Sequence, residues 1–573
     1  MGSKTTPRES AVERAKRDGR QLRGTIAEQL AGDAPSFEGD DLQLLKFHGI
    51  YQQDDRDHRR ERRSEGKAYQ FMIRVALPGG RLSAEQYLAL DELTEELADG
   101  SLRVTTRQGL QYHGVVKGDL KGVMARVNQS LVSTLAACGD VSRNVMACPA
   151  PLDDPTHRAV QEQAAAIAAE LRPRSRAYHE IWLDGERQTP AIEEEPFYGD
   201  RYLPRKFKVA VGLARDNCVD LFAHDVALAA LVDAGEVTGY DLLVGGGLGM
   251  THGKGDTIAR LAEPLGRVEP DQAVEAARIV AAIFRDHGNR ADRRHARLKY
   301  LLAEWGIDRF RAEFEARASF ALAPFVPLDD LAFHDHLGAI RQSDGKWCYG
   351  VFVQSGRIAD RDGQRLRTAL RGLVGVLRPG VRFTPHQNVL LTDLEPADVL
   401  TVESVLRSHG IGLLHELPSV RRYSMACPAL PTCGLAVAES ERALPDLLAG
   451  LEPVLDRLGP RRAPRRPDDR LPQRVRPSYT ADLAFVGRSL DLYHVYVGGG
   501  LRGDSITDLY LADVRAGDLI ASVTPLLERW AAERAPGEGL GAYHRRALGD
   551  ATPRRVVTGK EIPRGPIEGP GHG

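Results

Sequence analysis

The 573-residue chain holds only six cysteines, and none follows Cys433. So few over that length exclude a disulfide framework of the kind that staples small secreted domains. Long apolar runs are missing as well: no stretch reaches the ~18 residues of a membrane helix. Met1–Arg20 is polar and charged, without the apolar core of a secretory leader. Nor is there an excess of one charge. Lys+Arg 77 against Asp+Glu 79 give a formal charge of -2, so whole-chain charge draws the protein to neither nucleic acid nor a membrane surface. Any anion site has to be a local cluster of bases. What is present is an ordinary globular composition, 42% hydrophobic and 27% charged, long enough for about three to five domain-sized units. The expectation is a soluble, cytoplasmic, multidomain protein.

Residues 1–40 are polar, with one helical stretch near Arg23–Leu30, and read as a mobile arm; Gln52–Gly66 reads as a solvated charge run. The first ordered unit begins at an apolar strand, Phe71–Leu77, closed by Pro78-Gly79-Gly80. Ser83 and Gln86 have the spacing of a capping box, and Tyr87, Leu90, Leu93 and Leu97 follow at helical period. Leu102–Val116 reads as a strand region, with Leu110 and Tyr112 on an apolar face and Arg107, Gln111 and His113 on a polar one. An internal repeat is the strongest signal. Thr106-Arg107-Gln108 has a counterpart in Pro385-His386-Gln387, and Met146-Ala147-Cys148-Pro149-Ala150 recurs letter for letter at 425–429, both offset by 279 residues. Val244-Gly245-Gly246-Gly247-Leu248 recurs at 497–501, offset by 253. Two copies of one unit therefore run from about 67 to 330 and from 331 to 549, each a strand–helix–strand piece followed by a larger α/β piece. Ile562–Gly573, rich in Gly and Pro, reads as a disordered tail.

Cys427 and Cys433 form a C-x5-C pair, two thiolates with which a metal or iron–sulfur site could begin, although a cubane cluster takes four. Cys148 matches Cys427 by the repeat but has no partner matching Cys433. Cys138, Cys218 and Cys348 are isolated and read as small buried hydrophobes. Arg74, Arg107, Arg143, Lys206 and Lys208 sit in strand-like contexts, and period-2 geometry sends Lys206 and Lys208 to one face with Phe207 on the other. Singly such residues face solvent; together they could line a pocket for an oxyanion or a polycarboxylate, because guanidinium forks match carboxylates bidentately. The Val-Gly-Gly-Gly-Leu segments could be phosphate-type turns, but neither fits G-x-G-x-x-G, so no nucleotide is assigned to them.

Several ordered motifs make the chain resemble the sirohaem sulfite/nitrite reductase family over about residues 20–549. They are Leu22–Glu28, Phe47–Asp57, Thr105–Gln108, Arg143–Val145, Leu203–Lys208, Gly288–Arg290, the cysteine segment 424–434 and Gly537–Gly541. The resemblance implies an α/β (α+β) fold with two paired ferredoxin-like half-domains (67–136 and 331–420) and two larger α/β domains (137–330 and 421–549). Flanking them are an arm (1–66) and a tail (550–573). Sirohaem is then expected between units, its iron sharing a cysteine sulfur with a [4Fe–4S] cluster. The implied activity is the assimilatory six-electron reduction of sulfite to sulfide, as in sulfur assimilation and cysteine biosynthesis, with nitrite reduction as the rival. By the same resemblance Arg74, Arg143, Lys206 and Lys208 hold the anion and supply protons, and Arg107, Gln111 and His113 belong to the sirohaem wall. Cys427 and Cys433 are cluster ligands. Electrons come from a separate donor, an NADP-linked flavoprotein or a ferredoxin, since the chain carries no flavin or nicotinamide motif.

One departure matters. The family has a second cysteine pair, Cys-Pro-Asn-Gly-Cys, shortly before Ala481–Gly487; here the stretch reads Arg470-Leu471-Pro472-Gln473-Arg474-Val475-Arg476. Two thiolates are then missing, and a non-catalytic paralogue becomes a further alternative, against which stands the retained Arg/Lys set. Written with permitted GC-rich codons and read one nucleotide later, Pro467–Tyr479 translates as Arg-Thr-Thr-Gly-Cys-Pro-Asn-Gly-Cys-Ala-Arg-Pro. Against the bland reading of this Arg/Pro-dense stretch as a basic surface linker, residues 467–478 therefore read as a frame-shifted copy of the missing motif, with the thiolates where Leu471 and Val475 stand.

Overall fold

Ser83 caps the helix that follows it as its spacing requires: its hydroxyl accepts from the Gln86 N–H at 3.2 Å, and the Gln86 amide oxygen accepts from the Ser83 N–H at 3.0 Å. The helix buries Tyr87, Leu90 and Leu93. The computed structural model in which this is seen describes residues 9–175, 181–183, 186–188, 195–251, 255–459 and 479–549. The frame-shift segment 467–478 and the tail lie outside the described residues. Contacts divide the rest into two units. One holds the described residues up to Gly246 with Ala262–Leu301 and Ile307–Glu416; the other holds Gly247–Leu261, Leu302–Gly306 and the described residues from Leu417 on.

In the first unit the first copy contributes β1 (Ile50–Asp54), β2 (Tyr69–Val75), β3 (Arg81–Leu82), α1 (Ala84–Leu97), β4 (Leu102–Val104), β5 (Leu110–Val115) and α2 (Leu120–Gln129). Next come β6 (Met146–Ala147), α3 (Pro155–Glu170), β7 (Val209–Leu213), β8 (Val226–Asp233), β9 (Glu236–Val244), β10 (Glu263–Val268) and α4 (Ala273–His287). The second copy adds β11 (Gly338–Arg341), β12 (Trp347–Val351), β13 (Arg357–Ile358), α5 (Leu366–Leu377), β14 (Gly380–Phe383), β15 (Val389–Leu394) and α6 (Pro396–Ser408). The two antiparallel sheets run β1-β2-β5-β4-β13 and β11-β12-β15-β14-β3. Each therefore takes its last strand from the other copy. The third sheet, β10-β9-β8-β7-β6, is mixed, with β7 parallel to both neighbours.

The exchange is fastened by symmetric glutamines. Gln108, in the tight turn after β4, has φ 58° and donates to Phe383 O at 2.9 Å; Gln387, its repeat partner, has φ 67° and donates to Val104 O at 2.8 Å. Gly80 and Gly356 let the chains close: a Cβ at Gly80 would lie 2.6 Å from Phe383 O, and one at Gly356 2.3 Å from Val104 O. One core runs through both copies, from Ile73, Tyr87 and Tyr112 to Leu370, Val389 and Leu391. Arg367 on α5 closes over α1 with a bidentate ion pair to fully buried Asp91, at 2.8 and 3.0 Å.

Two expectations change. Leu102–Val116 is a hairpin, because Thr105–Gly109 forms a turn, and Arg107 sits in that turn and not on a strand face. The expected mobile arm is anchored: helices Ala11–Asp18, Ile26–Ala31 and Asp41–Phe47 form, and fully buried Lys16 pairs with Glu13 and lies 3.6 Å from Asp140. Polar composition misled there because the buried charges are matched by partners far away in sequence.

In the second unit, α7 (Leu444–Leu458) and α8 (Leu519–Glu533) pack on the antiparallel sheet β16 (Leu483–Ser489), β17 (Leu492–Val497), β18 (Asp508–Arg515) around Leu448, Val495, Val523 and Trp530. The triple-glycine segments serve backbone packing in both copies. A Cβ at Gly246 would lie 2.3 Å from Phe222 O, and one at Gly499 2.3 Å from Thr480 O. That close approach accounts for the middle glycine of each segment. No described helix is long and apolar enough to cross a membrane.

Candidate active site

Strand register places a row of polar side chains across the first sheet. Arg74 on β2 lies opposite Gln111 on β5, Gln111 opposite Arg103 on β4, and Arg103 opposite Arg357 on β13. The Gln111 amide oxygen, oriented by its hydrogen-bond pattern, accepts from Arg74 at 2.5 Å (Nη2) and 3.1 Å (Nε). His113, two residues along β5, is buried, and its Nε2 has no hydrogen-bond partner among the described residues. Burial, with Arg357, Arg103 and Arg74 nearby, pushes its imidazole well below the usual histidine range, so it is neutral.

A second group of bases comes from the segment Gly139–Asn144, which is laced to 203–207. The Arg143 N–H donates to Phe207 O at 2.8 Å, Phe207 N–H to Val141 O at 3.0 Å, and Leu203 N–H to Asp140 O at 3.0 Å. Arg143 Nε donates to Gly139 O at 2.8 Å, which fixes the plane of the guanidinium. Lys206 and Lys208 flank buried Phe207, as their alternation predicts. Neither ammonium has a hydrogen bond or ion pair among the described residues. Burial pushes Lys206 well down, and Lys208, Arg297, Arg143 and Arg205 push the same way. Lys208 is lowered by burial and then by Arg297 and Arg107, with Asp225 in partial opposition.

Arg107 ties several segments together. It donates to Asn144 O at 2.7 Å, to Val209 O at 3.0 Å and to His224 Nδ1 at 3.2 Å. His224 Nε2 faces Val219 O at 2.8 Å, which sets its tautomer, and burial with Arg107 beside it lowers its pKa to about 3. Arg107 itself is pushed down to about 9 by burial and by Arg143, Arg297 and Arg74. The acids answering all these cations are few. Asp225 holds Arg297 at 2.9 Å and accepts the Lys208 backbone N–H at 2.9 Å; Asp140 holds Arg293 at 2.7 Å. Cations massed in a partly buried place with so few acids are costly unless an anion joins them. The chemistry selected is a small oxyanion, a polycarboxylate, or both.

Sequence reasoning missed Arg103, Arg357, Asp225, Arg297 and Tyr51. Arg103 alternates with Leu102 and Val104, so a period-2 reading could have found it. Nothing local signals Arg357, whose place depends on strand exchange. Tyr51 hydrogen-bonds Cys138, and burial and that thiol raise its phenol while Arg143 and Arg74 oppose them. In the second unit Cys427 is exposed and Cys433 half-buried; the Cys433 N–H donates to Ala429 O at 2.9 Å, and Cys427 O accepts from the Glu441 N–H at 3.1 Å.

Against known proteins, the ferredoxin-like half domain of nitrite/sulfite reductases matches twice, at residues 62–130 and 340–409, and the nitrite and sulphite reductase 4Fe-4S domain matches residues 162–322. The sulfite reductase [NADPH] hemoprotein beta-component of Chromohalobacter salexigens is 43% identical over 548 residues, 93% of this chain and 94% of that one. The chain belongs to the nitrite and sulfite reductase family. Within that family the sulfite reductase [ferredoxin] of Synechococcus elongatus is 41% identical, covering 95% of this chain and 90% of its own. The Mycobacterium tuberculosis NirA protein shares the fold, with a TM-score of 0.73 at 24% identity over 94% of this chain and 97% of that one. The paired half-domains of the family are the two strand-exchanging pieces of the first unit.

Proposed function

We propose that this chain is the haemoprotein subunit of an assimilatory sulfite reductase, reducing sulfite to sulfide at a sirohaem with electrons from a separate flavoprotein or ferredoxin. The observation that carries the reading is the pair Lys206 and Lys208, without partners among the described residues and set among arginines. A sirohaem fits these residues: its many carboxylates answer Arg103 and Arg357, which face each other across the strand pair, and the orphaned Nε2 of buried His113 suits a polar group beside Gln111. When bound, it supplies the iron at which sulfur is reduced. The residues do the rest. Arg74 and Arg143 hold the oxyanion with the guanidinium N–H groups that Gln111 and Gly139 leave open, and Arg107 and Asn144 hold the Arg143 segment to the turn after β4. Hydrogensulfite takes up six protons with its six electrons, and three oxygens leave as water; Lys206 and Lys208, pushed well below the ordinary lysine range, release a proton more readily than a free lysine and are suited to deliver those protons.

A [4Fe–4S] cluster does not fit the chain as written. Two thiolates, Cys427 and Cys433, are available in the second unit, four are required, and the remaining four cysteines all belong to the first unit. If residues 467–478 are a shifted reading of Cys-Pro-Asn-Gly-Cys, the native protein supplies the missing pair, and resequencing that stretch decides it.

The test uses protein expressed from the native gene, its absorption spectrum and iron content, and turnover with reduced viologen. Sulfite reduced in preference to nitrite, with Lys206→Met and Lys208→Met each lowering sulfite turnover about 10²-fold, is the expected result. Faster nitrite turnover makes it a nitrite reductase, and a colourless protein makes it a non-catalytic paralogue.

A further inference from the structure

Away from the cation cluster, the first unit brings together four buried side chains that the proposed chemistry leaves unused. Cys148 follows β6, Asp216 and Cys218 lie in the loop after β7, and His336 precedes β11. One donor atom from each lies within 4.8 Å of every other, and all four residues are buried. Cys148 Sγ lies 3.1 Å from Asp216 Oδ2, and His336 Nε2 lies 3.0 Å from the same oxygen. We propose that Cys148, Asp216, Cys218 and His336 form a structural zinc site that pins the second copy to the first.

A purely hydrogen-bonded cluster leaves the set unsatisfied. Asp216 Oδ1 is buried without a partner among the described residues, and His336 Nε2 meets Asp216 Oδ2 as an ion pair at 3.0 Å but without hydrogen-bond alignment. A cation at the centre satisfies both, because a metal accepts the lone pairs that no N–H or O–H reaches. The donors fit one class of ion. Two thiols, an imidazole and a carboxylate suit borderline-soft Zn²⁺, whereas hard Mg²⁺ or Ca²⁺ take oxygen alone. With Zn–S near ~2.3 Å and Zn–N near ~2.0 Å, a tetrahedron needs donors about 3.3–3.8 Å apart, so the widest pairs have to close by about 1.5 Å at most and the closest to open by a few tenths of an ångström. Four protein donors and no exposure describe a closed site, without room for a reacting water.

The surrounding chain is built to hold it. The loop is tied to the strap before His336 by Asn217 N–H to Ala332 O at 2.8 Å and Ala332 N–H to Ala214 O at 3.0 Å. Cys148 is fixed from behind by Gln161, which donates to Cys148 O at 2.7 Å, and His157 hydrogen-bonds its thiol. His336 has a left-handed backbone, φ 56°, seated against Gly350, where a Cβ would meet His336 O at 1.8 Å. Cys148 is the repeat counterpart of Cys427, so each copy would put that cysteine to work on metal.

The experiment takes full-length, untagged protein, dialysed against EDTA and analysed by inductively coupled plasma mass spectrometry. One zinc per chain is expected, lost in Cys218→Ser and in His336→Asn and retained in Cys433→Ser. The zinc K-edge spectrum of the unaltered protein should show two sulfur and two nitrogen or oxygen neighbours. That spectrum carries the test if the variants are insoluble. Absence of zinc, zinc retained in Cys218→Ser, iron in its place, or a peptide linking Cys148 to Cys218 by a disulfide would each overturn the proposal.

Discussion

Lys206 and Lys208 are placed where a proton is unwelcome until an anion arrives. Burial and neighbouring cations lower both, so each gives up its proton at a lower pH than a free lysine does. An oxyanion beside them reverses the electrostatic term and raises both, so binding takes up protons. The sign follows: affinity for sulfite should strengthen as pH falls from the ordinary lysine range toward neutrality. Calorimetric titration of sulfite in buffers of differing ionisation enthalpy checks this. The apparent binding enthalpy should vary with the buffer, and less so in the Lys206→Met/Lys208→Met double variant. Buffer-independent enthalpies would remove the lysines from the anion's reach. Arg107 is expected to behave differently, since its nitrogens are committed to Asn144 O, Val209 O and His224. Its replacement should loosen the turn before it alters charge at the anion.

At the scale of elements, the segment carrying Arg143 is held by one carboxylate. Burial alone would raise Asp140, but Lys16, Arg293 and Arg205 overcome it and hold the group far below the usual carboxylate range. A carboxylate depressed in this way contributes stability that is present above the ordinary aspartate pKa and is lost as pH falls below it. Asp140→Asn leaves Arg293 without its carboxylate and buried Lys16 with Glu13 alone, and should cost about 3–5 kcal/mol. A denaturant titration showing an unchanged midpoint would rule Asp140 out as the anchor. The sequence made some of this readable. The α1 capping box and the alternation of Lys206, Phe207 and Lys208 are local, and local rules found them. Asp140, Arg357 and the Cys148–His336 cluster were not readable, because each acquires its meaning from a residue more than a hundred positions away. Cys218 looked like an ordinary buried thiol for the same reason.

At the scale of the whole molecule, the two half-domains share one core and trade edge strands. Residues 1–330 expressed alone lack β13 and the Leu370, Val389 and Leu391 side of the core. The fragment leaves the β4 edge bare, a template for aggregation. It should be insoluble by itself and recover when co-expressed with residues 331–573, as a complex seen by size-exclusion chromatography. A soluble, monomeric 1–330 would contradict the shared core. The same exchange sets a clock for synthesis. Leu82 pairs with Val381 and Leu102 with Ile358, so neither sheet closes until the ribosome has passed the second copy. At ~5–20 residues per second, β3 waits on the order of 15–60 s for its neighbour. A nascent chain of this kind spends that interval with hydrophobic surface uncovered, and it is then that a chaperone has something to hold.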